Sequence, residues 1–210
     1  MKQHLLAHWR DELHSKRMMY VLIVCSSILW LSCGLFKTRD PEFPTTGNET
    51  NPPANTPDML LQNFSAAIQQ KNIQEYQKVF SDTSTGTQTF LFIPTQTANA
   101  RYNSFFSTWT KEAEVECMRN IFSNIGTASS PMLSFTNTNM IPYQSDSVFF
   151  SAKYTLFVSH KKTPLTTTFH GNVELYMAQN RNKTWVVYKW RDIETNKDSS
   201  WSELKGQFAK

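Results

Sequence analysis

The chain has 210 residues, of which 40% are hydrophobic and 18% charged, and a net charge of +4. From Asp58 onward 15 Lys and Arg stand against 12 Asp and Glu, and the one adjacent basic pair there is Lys161-Lys162, so no basic stripe exists to grip phosphates and no nucleic-acid partner is expected. Of the three cysteines only Cys117 falls beyond residue 57, which excludes an internal disulfide in a segment long enough to bury a core without one.

Residues 1–17 are net positive, and Met18 to Phe36 contain no charged residue over a length sufficient for a membrane span. The run ends in Leu29-Trp30-Leu31-Ser32-Cys33-Gly34, which resembles a bacterial lipobox, with Cys33 as the lipid acceptor. Trp30 stands where a lipobox usually has Leu. A lipoprotein signal peptide and a single-span signal anchor are therefore both open for residues 1–36. Either one tethers the rest of the chain to a membrane on its extracytoplasmic side, as a periplasmic or outer-membrane lipoprotein or an anchored protein of the cell envelope.

Residues 37–56 carry Pro41, Pro44, Pro52 and Pro53 among polar residues, with too little apolar surface to offset the entropy of ordering. They read as a disordered linker of reach up to roughly 60 Å when extended. The domain expected over residues 57–210 begins at Thr56-Pro57-Asp58, a cap, a first-turn proline and an acid at the positive end of a helix. Leu60, Leu61, Phe64, Ala67 and Ile68 repeat at helical spacing to about Lys71, and Asn72 caps a second short helix bearing Ile73, Tyr76, Val79 and Phe80.

Thr87 to Pro94 reads as a strand, followed by a polar loop. Phe105, Phe106, Trp109, Ala113, Cys117, Ile121 and Phe122 predict one helix over Tyr102 to Asn124, interrupted by Glu112, Glu114, Glu116 and Arg119. Beyond Gly126 the period becomes two. Met132 to Tyr143 is a strand ended by Pro142, and Val148, Phe150, Ala152, Tyr154, Leu156 and Val158 form the core face of the next. Phe169, Gly171, Val173, Leu175 and Met177 do the same in a third strand, and Thr184 to Ile193 make a fourth. Trp201, Leu204 and Phe208 suggest a short terminal helix packing back on the domain.

Helices first and antiparallel strands last imply an α+β domain with a curved sheet wrapped on the helices. The order, together with Leu60-Leu61-Gln62-Asn63-Phe64, Phe90-Leu91-Phe92-Ile93-Pro94, Trp109 with Glu112, and Trp185-Val186-Val187-Tyr188-Lys189-Trp190-Arg191-Asp192, resembles NTF2-like bacterial lipoproteins. The resemblance implies a cone of N-terminal helices on a sheet of about four to six strands, sometimes enclosing a pocket.

Candidate catalytic groups for such a pocket are Asp192, and His170 with Glu174, four positions apart on one strand face and thus able in principle to pair a base with an acid. Candidate ligand-binding side chains are Trp109, Tyr188 and Trp190, with Tyr188, Trp190 and Asp192 placed on a common face by alternation. His160 and His170 have no zinc spacing, and neither a metal nor a cofactor is expected. The expected role is a noncatalytic, membrane-tethered domain that binds a small ligand or an envelope protein. An envelope isomerase or dehydratase is one alternative. A structural protein that forms a homodimer through a sheet face bearing Phe149 and Phe157 is another.

Overall fold

The computed structural model describes residues 51–84, 88–144, 146–196 and 198–209. The segment expected to be a signal or anchor, residues 1–36 with Cys33, and the expected linker up to residue 50 lie outside the described residues. Among the described residues no helix is long and apolar enough to cross a membrane. The last linker residues lie against the domain. Ala54 is buried and its carbonyl accepts from Trp185 N at 2.7 Å, while Pro52 O accepts from Asn63 Nδ2 at 2.8 Å.

Helix α1, Pro57–Gln69, starts at the expected cap: Thr56 Oγ1 accepts from Met59 N at 3.2 Å, satisfying an otherwise orphaned donor. It buries Leu60, Phe64, Ala67 and Ile68. Lys71, at φ 53°, reverses the chain into α2, Ile73–Lys78, where Asn72 Oδ1 accepts from the amides of Gln74 and Glu75, each at 3.1 Å.

The strand expected over 87–94 is β1, Leu91–Ile93, because the edge of its neighbour ahead of Lys189 is taken by Val79 and Ser81, whose backbones bond Val187, and because Thr95 then caps a helix. That helix, α3 at Gln96–Arg101, occupies the segment read as a loop. The single helix expected over 102–124 is two: α4, Asn103–Phe106, and α5, Lys111–Ser123. Thr110 breaks it by capping α5, its side chain accepting from Ala113 N at 3.3 Å, the competition with helix that hydroxyl side chains offer. The apolar period runs through the break because Phe106 and Trp109 still face one core, 5.1 Å apart between ring centroids.

Four long strands follow: β2 (Met132–Gln144), β3 (Ser147–Phe157), β4 (Thr168–Gln179) and β5 (Trp185–Glu194). The sheet order is β1-β5-β4-β3-β2, antiparallel throughout except for β1 beside β5. Pro142 does not end β2 but pairs opposite Val148; β2 is an edge strand, where a missing donor is tolerated. This curved, unclosed sheet with helices on one face is the α+β cone architecture that the resemblance implies.

The described residues end in α6, Trp201–Phe208, capped by Ser200 Oγ accepting from Glu203 N at 3.2 Å. Only Gln207 along it is not buried, so α6 runs through the interior of the cone. Gly206 is required there, since a Cβ would stand 2.1 Å from Cδ2 of Tyr102, whose ring lies across the helix.

Candidate functional site

Inside the cone, α6 brings two polar clusters among aromatic rings. The first centres on Asp192 of β5, 2% exposed. Its Oδ2 accepts from Ser202 N and Ser202 Oγ, each at 2.6 Å, and its Oδ1 accepts from Tyr154 OH at 2.9 Å. Tyr154 OH in turn accepts from Trp201 N at 2.7 Å. Asp192 thus anchors the first turn of α6, where the helix dipole favours a carboxylate. Burial raises its pKa, opposed by these hydrogen bonds and by the Lys205 charge.

The consequence for stability has a definite sign. A carboxyl whose pKa is raised on folding binds more protons folded than unfolded, so its contribution is full below the ordinary value of 3.8 and is lost as pH rises through the folded value. The stability difference between the parent and Asp192→Asn, followed by urea unfolding, therefore shrinks as pH rises from about 4 and then levels. A difference that grows with pH would show that the hydrogen bonds outweigh burial.

The second cluster joins Glu114 of α5 to Lys205 of α6. Lys205 Nζ lies 2.8 Å from Glu114 Oε2, with the two side chains 0% and 1% exposed. Glu114 also accepts from Trp109 Nε1 at 2.8 Å and from Tyr76 OH at 2.6 Å. Burial lowers the Lys205 pKa, and Glu114 works against that shift. Burial also raises the phenols of Tyr76 and Tyr154, which keeps both as donors.

The expected site residues divide between the interior, which holds Asp192, Trp109 and Trp190, and the outer sheet face, which holds Tyr188, His170 and Glu174. Trp109 and Trp190 are core side chains, Trp190 fully buried against Phe64, Phe80, Phe92 and Trp201. Tyr188 is not on their face. The β4–β5 register shifts between Tyr176 and Met177, leaving Tyr188 as an extra residue whose ring lies 6.2 Å from Tyr176 on the outer side. A β-bulge of this kind breaks the alternation that would have put Tyr188 beside Trp190 and Asp192.

His170 and Glu174 share the outer face but stand roughly 13 Å apart along β4, beyond reach of paired acid–base work. His170 Nε2 takes a hydrogen bond from Asn196 Nδ2 at 2.9 Å, and Glu174 faces Arg191 at 3.6 Å. Cys117 is buried, which pushes its thiol far above the range of a nucleophile. Among the described residues no group of His, Cys, Asp and Glu fits a metal ion.

Sequence reasoning missed Glu114 and Lys205, although a signal was present. Glu114 lies three and four residues before Cys117 and Met118, and Lys205 four after Trp201, so each sits on the apolar stripe of its helix.

Open concave space lies outside the cone. A groove of 920 Å³ runs between the Asn51–Ala54 segment, α1, α2, α5 and the β4–β5 turn, with Val115, Val186 and Trp185 in its lining. Its charges are largely paired within the domain: Lys78 with Glu75 at 2.6 Å, and Lys111 with Asp82 at 3.2 Å. Asp82 is held down to about 2, first by the hydrogen bond from Ser84 N. Glu112, exposed, also lines the groove. On the outer sheet face Tyr143 and Phe149 meet Tyr176 edge to face, Tyr188 lies tilted against it, and Lys189 Nζ lies 4.5 Å from the Tyr176 centroid.

No protein-family model matches the chain, and no curated protein matches it. Solved structures do. A candidate aromatic ring hydroxylase from Novosphingobium aromaticivorans superimposes with a TM-score of 0.53 at 15% identity, over 70% of this chain and 92% of that one. An NTF2-like protein of unknown function from Shewanella oneidensis gives 0.46 at 13% identity, over 65% and 95%. An NTF2-like superfamily protein from Salmonella enterica gives 0.47 at 10% identity, over 68% and 92%. At these identities the likeness is one of fold alone.

Proposed function

We propose that this protein is a membrane-tethered, extracytoplasmic and noncatalytic domain that binds a small ligand or a segment of an envelope protein in the groove beside α5. The observation that carries this reading is the occupancy of the cone. Where a pocket enzyme needs room for substrate beside a carboxylate, Asp192 and Glu114 are both spent on holding α6, and Trp190, Trp201 and Lys205 fill the space between them. The groove, by contrast, is open and combines apolar walls with polar groups at its rim.

Binding is tested by amide-shift mapping with a library of small-molecule fragments on the domain from residue 51. Shifts are expected at Val115, Thr184 and Val186. Shifts centred on Asp192 and Trp190 instead would restore the interior as the site and overturn this reading.

The tether rests on the uncharged run of residues 18–36 and on Ser32-Cys33-Gly34. Intact-mass analysis of the membrane fraction is expected to show loss of residues 1–32 and acyl mass on Cys33. A full-length, unacylated chain in that fraction would replace the lipid with a signal anchor, and its absence from membranes would remove the tether altogether.

A further inference from the structure

We infer that the interior of the cone is a binding site for a primary ammonium group, and that its resident ligand is the chain's own Lys205, delivered by α6. The Lys205 Nζ lies 3.5 Å from the ring centroid of Trp190, 3.6 Å from that of Phe92 and 5.8 Å from that of Trp201. A cation over aromatic faces is attracted by their quadrupoles, most strongly where water is excluded. Water is excluded here, for Lys205 and its partner Glu114 are 0% and 1% exposed. Glu114 supplies the countercharge at 2.8 Å, a charge-assisted hydrogen bond.

Apart from Trp201, the cage belongs to the wall of the cone and not to α6. Trp190 comes from β5, Phe92 from β1 and Glu114 from α5. The carboxylate is aimed by Tyr76 of α2 and by Trp109 of the loop before α5, neither on α6. A wall that needed only to be filled would be served by leucine or methionine opposite residue 205. A carboxylate held by two donors and flanked by two aromatic faces is a receptor for a small organic cation. Its occupant in the structure, the lysine stem with its terminal ammonium, is an unbranched alkylammonium. This site is distinct from the outer groove and does not depend on ligand binding there.

Chemical rescue tests the inference. Lys205→Ala removes three methylenes and the ammonium, the atoms of n-propylammonium. The variant is expected to unfold at lower temperature than the parent, and n-propylammonium chloride to restore part of the loss in a saturable way. Neutral n-propanol, and sodium chloride at equal ionic strength, are expected to do so at least about tenfold less effectively. Equal rescue by propanol would mean that the space reads shape only, and no rescue by either in a folded variant would mean that there is no site; both overturn the inference. If Lys205→Ala folds only when propylammonium is present, the inference stands.

If it folds under neither condition, the parent protein decides by nitrogen-detected NMR of its lysine side chains. A slowly exchanging Lys205 ammonium signal, with ε-methylene protons moved upfield by the rings, is expected at neutral pH. A Lys205 nitrogen with the shift of a neutral amine would overturn the inference.

Discussion

Glu114→Ala is expected to cost about 3–5 kcal/mol of folding free energy, because it strands the Lys205 ammonium in a site with no water. In a domain of this size such a loss lowers the melting temperature by on the order of 10 °C. Two further groups lose their partner at once, the Tyr76 hydroxyl and the Trp109 indole N–H, both buried. The loss is therefore larger than that from any one hydrogen bond on the surface. The paired variant Glu114→Gln with Lys205→Met separates an uncompensated charge from mere packing. Gln still offers an acceptor to Tyr76 or Trp109, Met follows the lysine stem, and no ion remains to be paired, so most of the stability returns. Thermal and urea unfolding measure both variants. A Glu114→Ala chain as stable as the parent would mean that Lys205 is not held as the structure shows.

Trp190→Ala is expected to be as severe, about 3–5 kcal/mol, the range for emptying a buried aromatic site. Its ring packs at 5.6 Å from Phe64, 6.1 Å from Phe80, 5.5 Å from Phe92 and 4.5 Å from Trp201. Those neighbours come from α1, the chain after α2, β1 and α6, and a strand hydrogen-bonded on both sides cannot collapse into the space. The loss also removes one face of the ammonium cage. Urea unfolding followed at the remaining tryptophans reads the effect. Were Trp190 a ligand-binding side chain at an open pocket, its removal would leave stability nearly unchanged.

Much of the fold was legible because its cues are local. Thr56-Pro57-Asp58 and Asn72 mark helix starts through hydrogen bonds spanning two or three residues. The alternation of Phe150, Ala152, Tyr154 and Leu156 against solvent-facing partners set the core face of β3. The break at Thr110 was hidden because Phe106 and Trp109 keep the apolar spacing while leaving the helix. Tyr188 was misplaced because a bulge exists only between two paired strands, and one strand read alone has an unbroken period.

The candidate site was less legible for the same reason. Asp192 could be singled out as an aspartate among aromatics, but its partner Ser202 comes from a helix that had only an apolar stripe to announce it. Glu114 reads as an interruption of its apolar stripe, and its partner Lys205 lies 91 positions away.

By itself the sequence determined the caps, the periods and the order of helices before strands, since these depend on neighbours within one turn or one pleat, and the proposed tether rests on residues 1–36 of the sequence alone. The tertiary structure alone decided that the cone is filled and that two buried carboxylates of its wall, Asp192 and Glu114, hold α6. A charge enters a dry interior only when its countercharge arrives from a remote element, and that meeting is a property of the packed chain.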